Sequence, residues 1–305
     1  MILIDADTTF IVQGITGREA VNLTRECLDY GAGAKVVGGV TPGRKGREVH
    51  GVPVFDTVAQ AVEHHGPPIN GSVVTVPPAF TKDAVFEALE NGIKIIVIVT
   101  ERIPRRDVAE MVELATLRGA RIIGPNCLGI IVPDVIKMGG IGGPARDAAK
   151  AYTPGPVGVL SRSGGMTTEI SSTLSAAGFG QSTAVSIGGD AIIGSTYAEL
   201  LPLFEEDGTT EAIVIYTEPG GRMEAELARY MTEESTRKLP IVAFMAGRFM
   251  DEMPGMSFGH AGTIVEGKED TATEKIARLE AAGIPVVERI DAIPDAVREK
   301  LGAPA

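Results

Sequence analysis

Short apolar runs alternate along this chain with longer amphipathic stretches. In the first 125 residues, runs at 10–13, 35–40, 71–76, 94–100 and 121–124 have the length and β-branched content of buried strands. Stretches at 20–30, 57–64, 81–91 and 105–118 lie between them and carry apolar residues at helical spacing. Gly31, Gly92 and Gly119 each follow such a stretch, where a glycine free to take positive φ ends a helix. Strand–helix repetition of this kind predicts a parallel sheet covered on both faces.

Residues 125–156 break the alternation with many Gly and Pro, and predict a connection with a short hairpin around 129–132. The alternation then resumes. Strands are expected at 157–161, 183–187, 212–216, 241–244 and 285–288, and helices at 166–177, 197–206, 222–238, 271–282 and 295–301. The expectation is an α/β protein with one sheet in 1–125, a connection at 126–156 and a second parallel sheet in 157–305. Open sheets of this class take ligands beyond the C-terminal ends of their strands. The glycine-rich loops considered below all fall at such ends.

The composition narrows the partners. The 305 residues are 44% hydrophobic and 22% charged, as in ordinary globular enzymes. A net charge of −12 disfavours a phosphate-backbone partner, and 5% aromatic content without Trp offers no stacking platform, so no nucleic acid is expected. No apolar run approaches the ~20 residues of a membrane span, and the first seven residues lack the features of a secretory signal. Two cysteines give no disulfide framework. These points suit a cytoplasmic protein without membrane contact. Any phosphorylated ligand has to be held by local basic groups or helix ends.

Gly14-Ile15-Thr16-Gly17-Arg18-Glu19-Ala20 opens a helix after the first strand, as a distant relative of the dinucleotide fingerprint. An NAD site would place an acidic residue at the end of the second strand. Gly43-Arg44-Lys45-Gly46 stands there instead. The basic pair suits an extra ribose phosphate, as in NADP or coenzyme A, or is simply a solvated turn. Pro77, after the third strand, and Val99-Thr100-Glu101, after the fourth, share the same expected rim. So do Asn126 and Cys127, after the fifth. Cys127 reads as a packed side chain rather than a nucleophile.

The second half adds Ser161-Arg162-Ser163-Gly164-Gly165-Met166-Thr167-Thr168-Glu169 between a strand and a helix. Its small residues open a helix N-terminus suited to phosphate or carboxylate, or merely form a Ser cap. One of only four histidines, His260, lies between glycines in Phe258-Gly259-His260-Ala261-Gly262. It is either a nucleophile toward phosphorus or an incidental turn residue. Glu218 is the candidate to accept its Nδ1 proton, or a surface carboxylate before a turn. His50, His64 and His65 read as exposed and silent.

Taken in order, six motifs resemble the α subunit of the succinyl-CoA synthetase family: Gly14-Ile-Thr-Gly17, Gly38-Gly-Val-Thr-Pro-Gly43, Gly124-Pro-Asn-Cys127, Ser161-Arg-Ser-Gly164, Ile187-Gly-Gly-Asp190 and Gly259-His-Ala-Gly262. The C-terminal part of ATP-citrate lyase and the small subunit of citryl-CoA synthetase share the pattern. The resemblance implies a Rossmann-like CoA-binding domain followed by a flavodoxin-like ligase domain. It puts Thr16, Gly17, Arg18, Glu19, Arg44 and Val99 to Glu101 at coenzyme A positions, with Lys45 beside Arg44. It makes His260 the residue that becomes phosphohistidine and Glu218 its orienting partner. Ser163, Gly164, Gly165 and Thr168 fall on the phosphate and substrate side.

The resemblance further implies that ATP or GTP, with Mg, binds on an ATP-grasp β subunit in an αβ or α2β2 assembly. No P-loop stands in this chain and no metal site is expected in it. Succinate is the default carboxylate. Thr168 replaces a family tyrosine, while Ser163-Gly-Gly-Met166 and Phe258 resemble the citrate-handling branch, so citrate or another substituted carboxylate is the alternative. Thr217-Glu218-Pro219 also departs from the usual Gly-Glu-Ile. From a different class, an NADP-dependent oxidoreductase would use the first sheet alone. A silent CoA-binding protein is disfavoured because His260 and Glu218 are both present.

Overall fold

The computed structural model describes residues 2–31 and 35–302. In the first half, strands β1 (Thr9–Gln13), β2 (Lys35–Val40), β3 (Glu48–Val49), β4 (Val52–Phe55), β5 (Gly71–Val74), β6 (Ile95–Ile98) and β7 (Arg121–Ile123) form one sheet. Helices α1 (Arg18–Leu28), α2 (Val58–His65), α3 (Pro78–Glu90) and α4 (Arg105–Leu117) connect and cover it. The strand order is β3-β4-β2-β1-β5-β6-β7, and all pairs are parallel except β3 with β4. Without β3 this is the doubly wound dinucleotide-binding order, which reverses at β1 and opens a crevice there. The β3–β4 hairpin was not expected. It turns on His50 and Gly51, both at positive φ, as a tight two-residue connection demands.

The second half contains β8 (Gly129–Val132), β9 (Ile136–Met138), α5 (Ala145–Ala151), β10 (Pro154–Ser161), α6 (Gly164–Ala176), β11 (Gln181–Ser186) and α7 (Tyr197–Asp207). It continues through β12 (Ala212–Thr217), α8 (Met223–Arg229), β13 (Ile241–Met245), α9 (Ala272–Ala281), β14 (Val286–Val287) and α10 (Ile293–Leu301). The sheet order is β14-β13-β12-β10-β11-β8-β9. The five strands from β14 to β11 are parallel and follow the flavodoxin-like order, with its reversal between β10 and β12. The segment read as a connection with a hairpin around 129–132 supplies that hairpin as β8 and β9, which extend this sheet antiparallel. The helix expected at 222–238 ends at Arg229. A wider π turn over Tyr230–Glu234 follows, where the Tyr230 hydroxyl donates to Glu205.

The two sheets are not separate bodies. One buried apolar cluster runs through both, from Phe10, Val12 and Val73 to Ile130, Leu160 and Ile213. Met138 on β9 packs so tightly on Gly71 of β5 that a Cβ there would lie 2.5 Å from its methyl carbon. Lys137, fully buried beside it, donates to the Ile141 carbonyl at 3.1 Å and pairs with Glu26 of α1 at 3.5 Å. Burial holds its pKa below the usual lysine value. Among the described residues, no helix is long and apolar enough to cross a membrane.

Candidate active site

Two strand-end crevices gather most of the residues singled out in the sequence. The first lies beyond β1, β2 and β5 as a cleft of about 970 Å³. Thr16, Gly17, Arg18, Glu19 and Pro77 all line it, as the motif reading expected. Val76 lines it beside Pro77, and Gln13, Pro42, Thr75 and Phe80 line it as well and were not anticipated. Gln13, Pro42 and Thr75 occupy strand ends and loop starts, so the rule that places ligands at strand ends was the signal for them, whereas Phe80 stands in the first turn of α3. Gly14 takes φ +85°, and a Cβ there would meet Thr75 Oγ1 at 2.9 Å, which lets the loop close against the neighbouring strand. Gly17 caps α1 without a side chain, so the first-turn N–H groups face outward for an anion. Phe80, 62% exposed, gives an apolar wall that a flat ring could rest on.

Arg44 and Lys45 do not line the cleft. Their backbone N–H groups both donate to Asp56 Oδ1, at 3.0 and 3.1 Å, which fixes the turn and leaves both side chains in solvent beside Pro42. Val99, Thr100 and Glu101 stand on the adjoining rim, where the Thr100 hydroxyl donates to the Val76 carbonyl at 2.7 Å. Cys127 faces inward. Its thiol donates to the Ile98 carbonyl at 3.3 Å, and burial pushes its pKa up to about 12, so it is no thiolate at neutral pH. His50 and His64 are exposed, while His65 is half-buried; His64 packs its ring on Phe55 at 5.1 Å.

The second crevice lies at the reversal between β10 and β12. Glu218 follows β12 and is 7% exposed. Its Oε2 lies 2.8 Å from His260 Nδ1. An ionised carboxylate only accepts, so in a neutral ring this contact puts the proton on Nδ1 and leaves Nε2 its lone pair. The imidazole lies flat against Gly189: a Cβ there would stand 2.4 Å from the His260 Cγ. Arg162 is almost wholly buried under the histidine loop, and donates to the carbonyls of Gly189 at 3.3 Å and Asp190 at 3.0 Å. Neither Gly189 nor Arg162 was singled out as a site residue, because no local pattern marks a buried arginine or a ring contact.

The start of α6 flanks this point through Arg162, the residue before its cap. Ser163 caps the helix by accepting from the Met166 N–H at 3.4 Å. Gly164 is packed against Leu128, whereas Gly165 faces open space. Thr168 turns its hydroxyl to the buried Tyr152 hydroxyl at 2.8 Å. Backbone hydrogen bonds stitch the two crevices together. Asn126 N–H donates to Thr100, Gly189 N–H to Asn126, and Gly262 N–H to Gly189, at 3.0, 3.2 and 3.1 Å. The Asn126 side chain adds a bond to Asp190 at 3.1 Å. The cleft rim and the histidine loop are therefore three hydrogen bonds apart.

Comparison with known proteins agrees with this layout. Residues 5–102 match the family described as CoA binding domain, and residues 160–284 the family described as CoA-ligase. The succinate–CoA ligase [ADP-forming] subunit alpha of Methanothermobacter thermautotrophicus is 42% identical over 99% of this chain and 98% of its own length. This chain belongs to the succinate–CoA ligase α-subunit family. It is thereby an acid–thiol ligase subunit with a CoA-binding half, and the resemblance carried by the six motifs holds across its length. Within the family's reach, a subunit of an ADP-forming sulfoacetate–CoA ligase from Acholeplasma sp is 40% identical over 94% of both chains. An ATP citrate lyase from Methanosaeta concilii, solved in complex with (3S)-citryl-CoA, superposes with a TM-score of 0.90 over 99% of this chain at 24% identity. The chain spans half the length of that lyase, so the likeness speaks for the fold.

Proposed function

We propose that this chain is the α subunit of a nucleoside-diphosphate-forming carboxylate–CoA ligase whose phosphoryl carrier is His260. The observation that carries the reading is the 2.8 Å contact between Glu218 and His260 Nδ1, which leaves Nε2 as the attacking atom. The Nε2 lone pair attacks the γ-phosphorus of ATP or GTP, and the bond to the diphosphate breaks. A carboxylate oxygen of the acid then takes the phosphoryl group from nitrogen, giving an acyl phosphate and restoring the imidazole. The CoA thiolate attacks the acyl carbon and phosphate leaves. By resemblance to the family, the nucleotide and its Mg are assigned to an ATP-grasp β partner, and the chain itself carries no P-loop. Glu218 lowers the cost of the positive charge that builds on the ring during the first step.

Succinate is the substrate we assign first. The sulfoacetate relative, and the smaller Thr168 in place of a family tyrosine, keep a second reading in view, in which the acid carries a bulkier or more polar substituent. The test is to incubate the chain and its co-purified partner with γ-labelled nucleotide, then discharge the label with CoA and a panel of carboxylates. Acid-labile, base-stable label on His260, released by one acid with CoA, establishes the reaction and names the acid. No label with a competent partner refutes it.

Two substitutions probe the crevices separately. Gly189→Ala has no backbone strain to contend with, but its methyl needs the space of the imidazole. Phosphorylation is expected to fall roughly 10²-fold, the scale set by about 1 Å of misplacement, with CoA affinity unchanged in calorimetry. Arg44→Ala is expected to weaken CoA roughly tenfold and dephospho-CoA hardly at all, as loss of a charged contact to the ribose phosphate would. Equal losses for both ligands would remove that role from Arg44.

A further inference from the structure

We propose that Tyr216 is a positioning residue for His260, fixing the plane in which Glu218 holds the imidazole. The inference rests on His260 being the phosphoryl acceptor. Tyr216 and Glu218 stand two residues apart at the end of β12, and strand alternation places them on one face. Thr217, between them, turns the other way and donates to Glu224. The Tyr216 hydroxyl donates to Glu218 Oε1 at 3.1 Å, while Oε2 is engaged with His260 Nδ1 at 2.8 Å. Each carboxylate oxygen thus has its own partner.

A glutamate carboxylate turns broadly about its last torsion. Held only at Oε2, it could tilt or exchange its oxygens, and the ring would follow. A second donor at Oε1 removes that freedom. The other end of the residue is pinned as well, because Lys275 Nζ donates to the Glu218 carbonyl at 2.9 Å. The Tyr216 ring is buried and rests on Phe244 with centroids 5.9 Å apart, so its hydroxyl has a fixed origin. Burial, with the charge of Glu218 next to it, pushes the phenol further above its ordinary pKa, and the group remains a donor throughout the working range.

Tyr216→Phe keeps the ring and its packing and removes only the hydroxyl. In the full chain with ¹⁵N-labelled histidine, the wild type is expected to show one His260 tautomer, protonated at Nδ1, and the variant a mixture. With the co-purified partner, the variant is expected to phosphorylate about tenfold more slowly, the scale typical of a lost supporting hydrogen bond, with unchanged CoA affinity. An unchanged tautomer overturns the inference, and so does an unchanged rate. A variant that merely melts earlier, with tautomer and rate intact, assigns Tyr216 to packing and equally overturns it. If the wild type takes no phosphate, the functional reading fails by itself, and the tautomer comparison alone then decides whether Tyr216 orients the ring.

Discussion

His260→Asn is expected to abolish phosphoenzyme formation while leaving CoA binding intact. The asparagine amide can still donate toward Glu218 from near the place of Nδ1, so the loop keeps its anchor. What disappears is the Nε2 lone pair, and nothing else nearby replaces it: Cys127 is a buried thiol with its pKa pushed up to about 12. Removing an essential nucleophile costs on the order of 10³-fold or more. The cleft we assign to CoA is lined by strand ends, loops and the helices α1 and α3 of the first half, and not by the histidine loop, so affinity there should not change. The measurement is labelled-phosphate uptake with the partner present, beside CoA titration of the same preparation. Label on the variant would place the acceptor elsewhere.

Lys275→Met is expected to cost roughly 3–5 kcal/mol of stability, the penalty for stranding one member of a buried ion pair. Lys275 and Glu224 are 1% and 0% exposed and 2.6 Å apart. Burial, joined by the charge of Arg162, drives the Lys275 pKa down, and Glu224 works against that shift. The ammonium also donates to the carbonyls of Glu218 and Gly220, which lose their partner in the variant. Denaturant midpoints of the wild type and variant give the loss. The double change with Glu224→Leu should recover much of it, since an apolar pair no longer strands a charge. A single-variant cost below about 1 kcal/mol, the range of exposed pairs, would show that the site takes up water.

The architecture was readable because periodicity reports burial. Every parallel strand but β4 coincides with an apolar run, and the family match spans the chain. The misses have physical causes. The β3–β4 hairpin is too short to carry a period, and only the His50-Gly51 turn announces it. The hairpin expected around 129–132 is β8 with β9, but the Gly and Pro around it hid that it joins the second sheet. At the site, residues in contiguous loops could be named, including His260 with Glu218. Other contacts made across the fold were not legible, even where the residue itself was named. Arg162 reaches Gly189 and Asp190 from another strand end, and Asn126 reaches Asp190 over 64 positions. Tyr216 escaped for a different reason, since a buried strand tyrosine looks like any other core residue until its neighbour's chemistry is known.

The β8–β9 hairpin sets how this chain can be divided. Its strands belong to the second sheet, yet Met138 and Lys137 are seated on Gly71 and Glu26 of the first half. A cut on the N-terminal side of the hairpin strips the first half of a wall of its core, and a cut on the C-terminal side takes an edge from the second sheet. The halves are therefore poor modules for exchange. A foreign CoA-binding half spliced onto this ligase half would need its own small residue opposite Met138 and its own acid opposite Lys137. Recombination between distant relatives should succeed where that seat travels with the hairpin and fail where it is left behind.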